Sequence, residues 1–347
     1  MTQSGQTGAP ASYFEALRRS LLEGIILLEG VVTQPIGLTH DLRTTRTALM
    51  EQMGLGSEED DGAASVTGRV IRRERPAITR ERAMDNLAIA QRTLDVLAAR
   101  GGVDRSWAER ARRVLARVEQ RLGSEVRQHS AARVRGLYVI LDPQMARGRD
   151  LAVMSEQALK GGARVLQLRD KQSEKGLQLP FAKRLAQLCE QHHGLLIMND
   201  HADLAASCGA HGLHIGQKDL PIAEARKYLA PGQLIGNSNA TVDEAMASQQ
   251  QGVDYLAVGA MFATTSKDNT RPAGLATLSK VREQAQVPLV AIGGINEGNV
   301  EQVIAAGADS VAVISAVVAA DDPGHAAARL TERIERALAR RGATTGR

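Results

Sequence analysis

The sequence predicts an α/β protein: a (β/α)8 TIM barrel preceded by a small all-α domain. Three observations carry that expectation. From Gly136 onward, short β-branched runs alternate with amphipathic helical segments, the signature of repeated βα units around a parallel sheet. Eight such runs follow one another over about 200 residues, which suits a compact closed barrel. No G-x-G-x-x-G follows the first run, so a doubly wound open sheet, the alternative, lacks its fingerprint.

A chain of 347 residues is long for one ordinary domain, so a large domain plus a smaller one is expected. The front part, to about residue 132, has helical periodicity and no strand signal. Residues 12–32 carry apolar side chains at helical spacing, and GLGSEEDDGAA, 54–64, reads as an acidic loop. Two helices follow near 79–100 and 106–122, the second opened by a Ser cap after Asp104. GSEVRQHSAARVR, 123–135, reads as a polar linker. The expected domains are therefore 1–132, a helical bundle, and 133–340, the barrel. Its strands are expected at 136–142, 164–169, 195–200, 212–216, 234–239, 255–259, 288–294 and 310–315.

Hydrophobic residues make up 43% and charged residues 24%, the balance of a water-soluble globular protein. Aromatics are only 2%, so the cores must be built from Ala, Val, Leu and Ile, and a base-stacking nucleic-acid surface is disfavoured. The net charge of +4 comes with Arg scattered along helices, which reads as solvated surface rather than a nucleic-acid patch. Cys189 and Cys208 offer neither a disulfide framework nor a metal quartet and are expected in core packing. No signal pattern or membrane-length apolar run stands out, so no membrane partner and a cytoplasmic location are expected.

A barrel carries its site at the C-terminal ends of its strands. In order, those ends give Gln167, Arg169 and Lys171; Asn199 and Asp200; Gln217 and Asp219; Ser238; Thr264, Ser266 and Lys267; Gly293 and Gly294; Ile314 and Ser315. The strand bodies are apolar and the polar residues collect at one end. In VLQLRDK, 165–171, Gln167, Arg169 and Lys171 share one parity and so point to one side together.

Two kinds of phosphate site separate by chemistry. Gly294 and Ser315, after the seventh and eighth strands, fall where barrels hold a phosphate on backbone N–H groups. The alternative is that the glycine pair serves a tight turn. Elsewhere Arg169 supplies a bidentate fork, Lys171 and Lys267 point charges, and Ser238 and Asn199 neutral hydrogen bonds. Asp200 and Asp219 are neighbours across the rim, and paired carboxylates beside a polyphosphate suit Mg2+. Singly, Asp200 also reads as a helix N-cap, Asp219 as a loop cap before Pro221, and Arg169 as the partner of a surface acid. A cationic diphosphate site with a metal pair, beside a backbone phosphate site, implies two phosphorylated ligands joined by a transferase with diphosphate as the leaving group.

The blocks QLRDK (167–171), LIMNDHADLA (196–205), GLHIGQKDL (212–220), GNSNATVDEA (236–245), VGAMFATTSK (258–267), AIGGI (291–295) and VAVISAV (311–317) resemble the thiamine-phosphate synthases, in order, over residues 134–340. That family couples a hydroxymethylpyrimidine diphosphate to a thiazole phosphate, releasing diphosphate and forming thiamine phosphate. The resemblance implies that Gln167, Arg169, Lys171, Asn199, Ser238 and Lys267 bind the pyrimidine diphosphate, with Arg169, Lys171, Ser238 and Lys267 catalytic. It implies Mg2+ on Asp200 and Asp219, and the thiazole phosphate on Thr264, Ser266, Gly294, Ile314 and Ser315. It also implies a dissociative mechanism, in which diphosphate leaves before the thiazole nitrogen attacks a pyrimidine carbocation.

Two departures stand out. The loop that usually reads PT-x-TK reads ATTSK here, with Ala263 for Pro and Ser266 for Thr, and Ser keeps the hydroxyl. The first strand reads VILDPQ where an acid or Thr-Asp is common in the family, with no known ligand affected. His214 reads either as a lining of the pyrimidine pocket or as a packed barrel histidine. The helical front half resembles the N-terminal domain of longer bacterial synthases, with packing or homo-oligomerisation its expected role. The rival readings are a thiazole tautomerase-like barrel, which would lack the diphosphate cations, and a non-catalytic sensor of thiamine precursors.

Overall fold

A computed structural model describes residues 11–32, 36–55, 78–263 and 271–345. Thr264, Ser266 and Lys267 lie outside the described residues, as does most of the acidic stretch expected at 54–64. The chain divides into two compact units, Met1–Val126 and Arg127–Arg347.

The first unit is helical in its described part. The helices Ala11–Val31, Ile36–Gln52 and Arg80–Ala99, with the front of Arg105–Ala132, bury Leu21, Ile25, Leu42, Leu94, Leu115 and Trp107 together. Ile36–Gln52 was not among the expected helices. Its inward positions Leu38, Leu42 and Leu49 keep helical spacing, but the run is broken by buried Thr45 and Arg46. Thr45 donates its hydroxyl to the Asp41 carbonyl at 2.7 Å, and Arg46 forms an ion pair with Glu29 at 3.2 Å, so both polar groups meet a partner inside.

Two local expectations are corrected. Asp104, not Ser106, opens the helix Arg105–Ala132: its Oδ1 accepts from the Trp107 amide at 2.7 Å and from the Ser106 hydroxyl at 2.6 Å. The segment expected as a polar linker, 123–135, is helical as far as Ala132. A lone internal glycine costs only about 1 kcal/mol against Ala, and the residues after Gly123 continue to support the helix. In the second unit Arg127 pairs with Asp254 at 3.3 Å, and Ala131 and Val134 join the barrel core.

The second unit is a closed barrel of eight parallel strands in sequence order, with helices between them. The strands are β1 Gly136–Leu141, β2 Val165–Leu168, β3 Leu195–Asn199, β4 Gly212–Ile215, β5 Leu234–Asn239, β6 Tyr255–Gly259, β7 Leu289–Ile292 and β8 Ser310–Val313. Side chains of one parity, among them Tyr138, Val165, Ile197, Leu234, Tyr255 and Val290, fill the barrel interior. Those of the other parity, such as Leu137, Leu166, Met198 and Leu256, pack outward against the helices. Cys189 and Cys208 lie in that outer core as free thiols, as expected. The arginines largely meet acids: Arg226 reaches Asp254 at 2.6 Å, and Arg282 and Arg341 both reach Asp309 at 2.8 Å. Among the described residues no helix is long and apolar enough to cross a membrane.

Candidate active site

Parity carries Gln167 into the barrel interior, where it is 2% exposed. Arg169 and Lys171 follow it past the end of β2. The Arg169 amide still bonds the Leu141 carbonyl of β1 at 2.9 Å, so the chain keeps strand geometry to that point. The turn beyond is tied down locally. Asp170 Oδ1 accepts from the amides of Gln172 and Ser173, and Gln178 donates to the carbonyls of Asp170 and Ser173. Lys171 therefore projects from a braced turn.

Arg169 Nη1 lies 2.5 Å from Asp142 Oδ2, with only 17% and 5% of the two side chains exposed. Asp142 also accepts from the Gln144 amide, capping the short helix Pro143–Ala146. The reading of Arg169 as the partner of an acid thus holds in part, but that acid is buried at the end of β1. The VILDPQ strand end was read as affecting no known ligand; in the structure its Asp142 is the group that orients Arg169.

Asp200 follows β3 in the left-handed backbone region, φ 60°, and its carboxylate sits 3.0 Å from Lys171 Nζ. It does not cap the next helix, Ala202–Cys208, whose cap position is His201. Burial pushes the Asp200 carboxyl above its ordinary value; Lys171 opposes this, and the neighbouring Asp219 adds to it. Asp219 Oδ2 accepts from the Gly216 amide at 2.7 Å, so its loop-turn role is present as well. Among the described residues no group of three or more His, Cys, Asp and Glu side chains forms a metal cage. Two facing carboxylates with a lysine ammonium on one of them fit a hard cation that draws its remaining oxygens from phosphate and water.

Ser238, near the end of β5, lies 2.8 Å from His214 Nε2. Gln217 is committed elsewhere: its amide donates to Asn237 Oδ1, the Ser238 carbonyl and Asn239 Oδ1, fastening β4 to β5. Asn199 closes β3 opposite His214. Four side chains behind the mouth join into one chain of contacts. Gln167 Nε2 donates to the Tyr138 hydroxyl at 2.7 Å, the two phenols of Tyr138 and Tyr255 meet at 3.2 Å, and Tyr255 meets His214 Nδ1 at 3.1 Å. Burial pushes both phenols well above their ordinary range. His214 is thus packed in the barrel, as one of its two readings had it, and is bonded to the mouth residue Ser238. The two tyrosines were missed. Their signal was available, since only four tyrosines occur in the chain and these two fall at inward parity on β1 and β6.

Gly293 and Gly294 both take positive φ, 104° and 64°. A Cβ on Gly294 would lie 2.6 Å from the Ala263 carbonyl and 2.8 Å from Phe262 Cβ. The Phe262 amide bonds the Gly293 carbonyl at 3.0 Å, so this turn carries the segment leading to residues 264–270. The tight turn accounts for the glycines directly. Ile314, 7% exposed, precedes the short helix Ser315–Val318, and its carbonyl accepts from Val317 and Val318. A cavity of about 360 Å3 opens at the opposite end of the barrel, between Arg133, Arg164, His193 and Glu335, away from all of these strand ends.

Fold and mouth together define a (β/α)8 barrel whose C-terminal rim gathers cations, a carboxylate pair and a serine above a buried polar chain. The sequence profile described as thiamine monophosphate synthase (TMP-TENI) matches residues 137–317, and the chain belongs to that family. A thiamine-phosphate synthase of Methanoculleus marisnigri is 46% identical over 204 residues, 58% of this chain and 97% of that protein. One of Gloeobacter violaceus is 41% identical over 214 residues, 62% of this chain but 61% of that protein, which therefore carries further sequence outside the match. A solved thiamine phosphate pyrophosphorylase from Pyrococcus furiosus superposes with a TM-score of 0.56 at 35% identity, over 60% of this chain and 98% of that one.

Proposed function

We propose that the chain is a thiamine-phosphate synthase, joining 4-amino-2-methyl-5-(diphosphooxymethyl)pyrimidine to 4-methyl-5-(2-phosphoethyl)thiazole to give thiamine phosphate and diphosphate. The observation that carries the reading is the gathering of Arg169, Lys171, Asp200, Asp219 and Ser238 on one barrel rim, in a family that the chain matches across that barrel. The chemistry belongs to residues 133–340 on this reading, and the front domain, 1–132, serves packing or homo-oligomer contacts.

Arg169, held by Asp142, presents its guanidinium to the diphosphate, and Lys171 exchanges its contact with Asp200 for a phosphate oxygen. Asn199 and Ser238 add neutral hydrogen bonds, Gln167 borders the pyrimidine, and Lys267 supplies a further cation. Mg2+ on Asp200 and Asp219 would neutralise charge on the diphosphate. The pyrimidine CH2–O bond breaks with its electron pair passing to the diphosphate. The thiazole nitrogen lone pair then forms the new C–N bond, so no side-chain nucleophile is required. Thr264, Ser266, Gly294, Ile314 and Ser315 hold the thiazole phosphate on hydroxyl and backbone groups. The ligands are small phosphorylated molecules, and the enzyme works in the cytoplasm without nucleic acid or membrane partners.

The test is product formation from the two substrates with Mg2+, in the full chain and in Lys171→Ala and Asp200→Ala. Thiamine phosphate and diphosphate should appear in equal amounts and fall sharply in both variants. Undiminished product in both variants would show that the rim is not the site.

A further inference from the structure

The polar chain behind the mouth has a direction. Gln167 Nε2 carries only protons, so the Tyr138 oxygen accepts from it at 2.7 Å. Tyr138 is 1% exposed, and among the described residues its other hydrogen-bond partner is the Tyr255 hydroxyl at 3.2 Å. If Tyr138 donates to Tyr255, then Tyr255, fully buried, donates to His214 Nδ1 at 3.1 Å. The neutral imidazole then carries its proton on Nε2 and donates to Ser238 Oγ at 2.8 Å. Every proton in the chain has an acceptor, and the Ser238 hydroxyl proton is the one left over.

The reverse direction fails at its far end. There Ser238 would donate to Nε2, Nδ1–H to Tyr255, and Tyr255 to Tyr138. Tyr138 would then accept from two sides, and its own buried proton would have no acceptor among the described residues. An imidazolium at His214 forces the same outcome. Leaving a buried donor unmatched is costly enough to select the forward direction by roughly fivefold or more.

The packing is built around this line. A Cβ on Gly236 of β5 would fall 2.0 Å from Tyr255 Cζ, so the phenol crosses the interior through a gap that only glycine leaves. The His214 and Tyr255 rings lie stacked, 5.7 Å between centroids with 22° between planes. Five strands contribute one residue each: β1, β2, β4, β5 and β6.

We propose that Gln167, Tyr138, Tyr255 and His214 form a one-way hydrogen-bond relay that fixes His214 as its Nε2–H tautomer and turns the Ser238 hydroxyl proton outward, toward the departing diphosphate. Tyr138, Tyr255 and His214 are then positioning residues, acting through Ser238. The last link rests on the reading of Ser238 as a diphosphate ligand.

The relay is read first in the unaltered full-length protein, by nitrogen-15 NMR of the histidine rings, with His214→Gln used to assign the signal. The proton is expected on Nε2, with Nδ1 bare. A proton on Nδ1, or on both nitrogens, overturns the relay whatever the kinetics show. Steady-state kinetics of Tyr255→Phe, Ser238→Ala and the double variant test the link to function. Tyr255→Phe should raise KM for the pyrimidine diphosphate roughly tenfold, leave KM for the thiazole phosphate unchanged, and add nothing in the Ser238→Ala background. His214→Gln, which keeps an N–H donor toward Ser238, should retain more activity than His214→Ala. Losses that add in the double variant overturn the positioning role. A wild-type KM in Ser238→Ala instead removes the diphosphate reading of Ser238, whatever tautomer the NMR shows.

Discussion

A single methyl group at Gly236 should disable the barrel interior. The Cβ of Gly236→Ala would lie 2.0 Å from Tyr255 Cζ and 2.3 and 2.4 Å from two further ring carbons. Carbon atoms pack at about 3.5–4.0 Å, so ring or strand must give way by roughly 1.5 Å. Neither has a loose end. Tyr255 is fully buried and bonded at its hydroxyl to Tyr138 and His214, while β5 is paired with β4 and β6 on either side. Overpacking of this kind costs about 1–3 kcal/mol, and pulling the phenol from two neutral hydrogen bonds adds about 1 kcal/mol each. The expected loss is therefore about 3–5 kcal/mol, a large share of the 5–15 kcal/mol typical of a domain. In a urea titration followed by far-UV circular dichroism, with a slope of about 1–3 kcal/mol per molar, the midpoint should fall by roughly 1–5 M. Product formation should fall with it. Tyr255→Leu removes the ring carbons that clash, so the double variant should lose less stability than the two singles summed, while activity stays low. A Gly236→Ala protein with the parent's midpoint and turnover would refute this account of the interior.

Three further outcomes are expected. Asp142→Asn keeps the bond to the Gln144 amide but takes away the charge that holds Arg169; KM for the pyrimidine diphosphate should rise about tenfold, roughly 1.4 kcal/mol, with KM for the thiazole phosphate unmoved. An unchanged diphosphate KM would remove Asp142 from the site. Burial, with Asp219 beside it, holds the Asp200 carboxyl above 3.8 against the pull of Lys171, so the folded state keeps a proton that the unfolded chain has released. Metal-free stability should thus fall as pH rises from 3.8 through the higher folded value. Asp200→Asn should abolish that fall, matching or exceeding the parent's urea midpoint in EDTA at neutral pH while making no product; a clearly less stable variant would contradict the pKa direction. Burial raises the Cys189 thiol to about 12 and Cys208 upward too, so neither should react with a thiol reagent at mildly alkaline pH until urea unfolds the chain. Rapid labelling of Cys189 in the folded protein would count against its packing.

Much of the barrel was legible because its signals are local. β5 and β6 run over the residues expected, and the remaining strands differ only at their ends. Parity carried Gln167 inward, and strand order brought Asp200 and Asp219 together. What escaped depended on partners distant in sequence. Tyr138 and Tyr255 are separated by 117 positions and meet only because the barrel closes. Asp142 was not singled out because nothing near it in the chain announces Arg169, 27 residues on. Ile36–Gln52 was hidden by Thr45 and Arg46, polar residues that a helix can bury once a carbonyl or a glutamate waits inside. The glycines of 293–294 show the converse: a motif open to two readings, for which the turn supplies one sufficient cause.

On the proposed function, one rim of the barrel holds a diphosphate among cations, a carboxylate pair and a serine. A crystal structure of the full chain with diphosphate and Mg2+ tests it most directly. Diphosphate oxygens are expected within hydrogen-bond reach of Arg169, Lys171 and Ser238, and the metal between Asp200 and Asp219. Diphosphate seated instead in the cavity between Arg133, Arg164 and His193, with the strand ends bare, would contradict it.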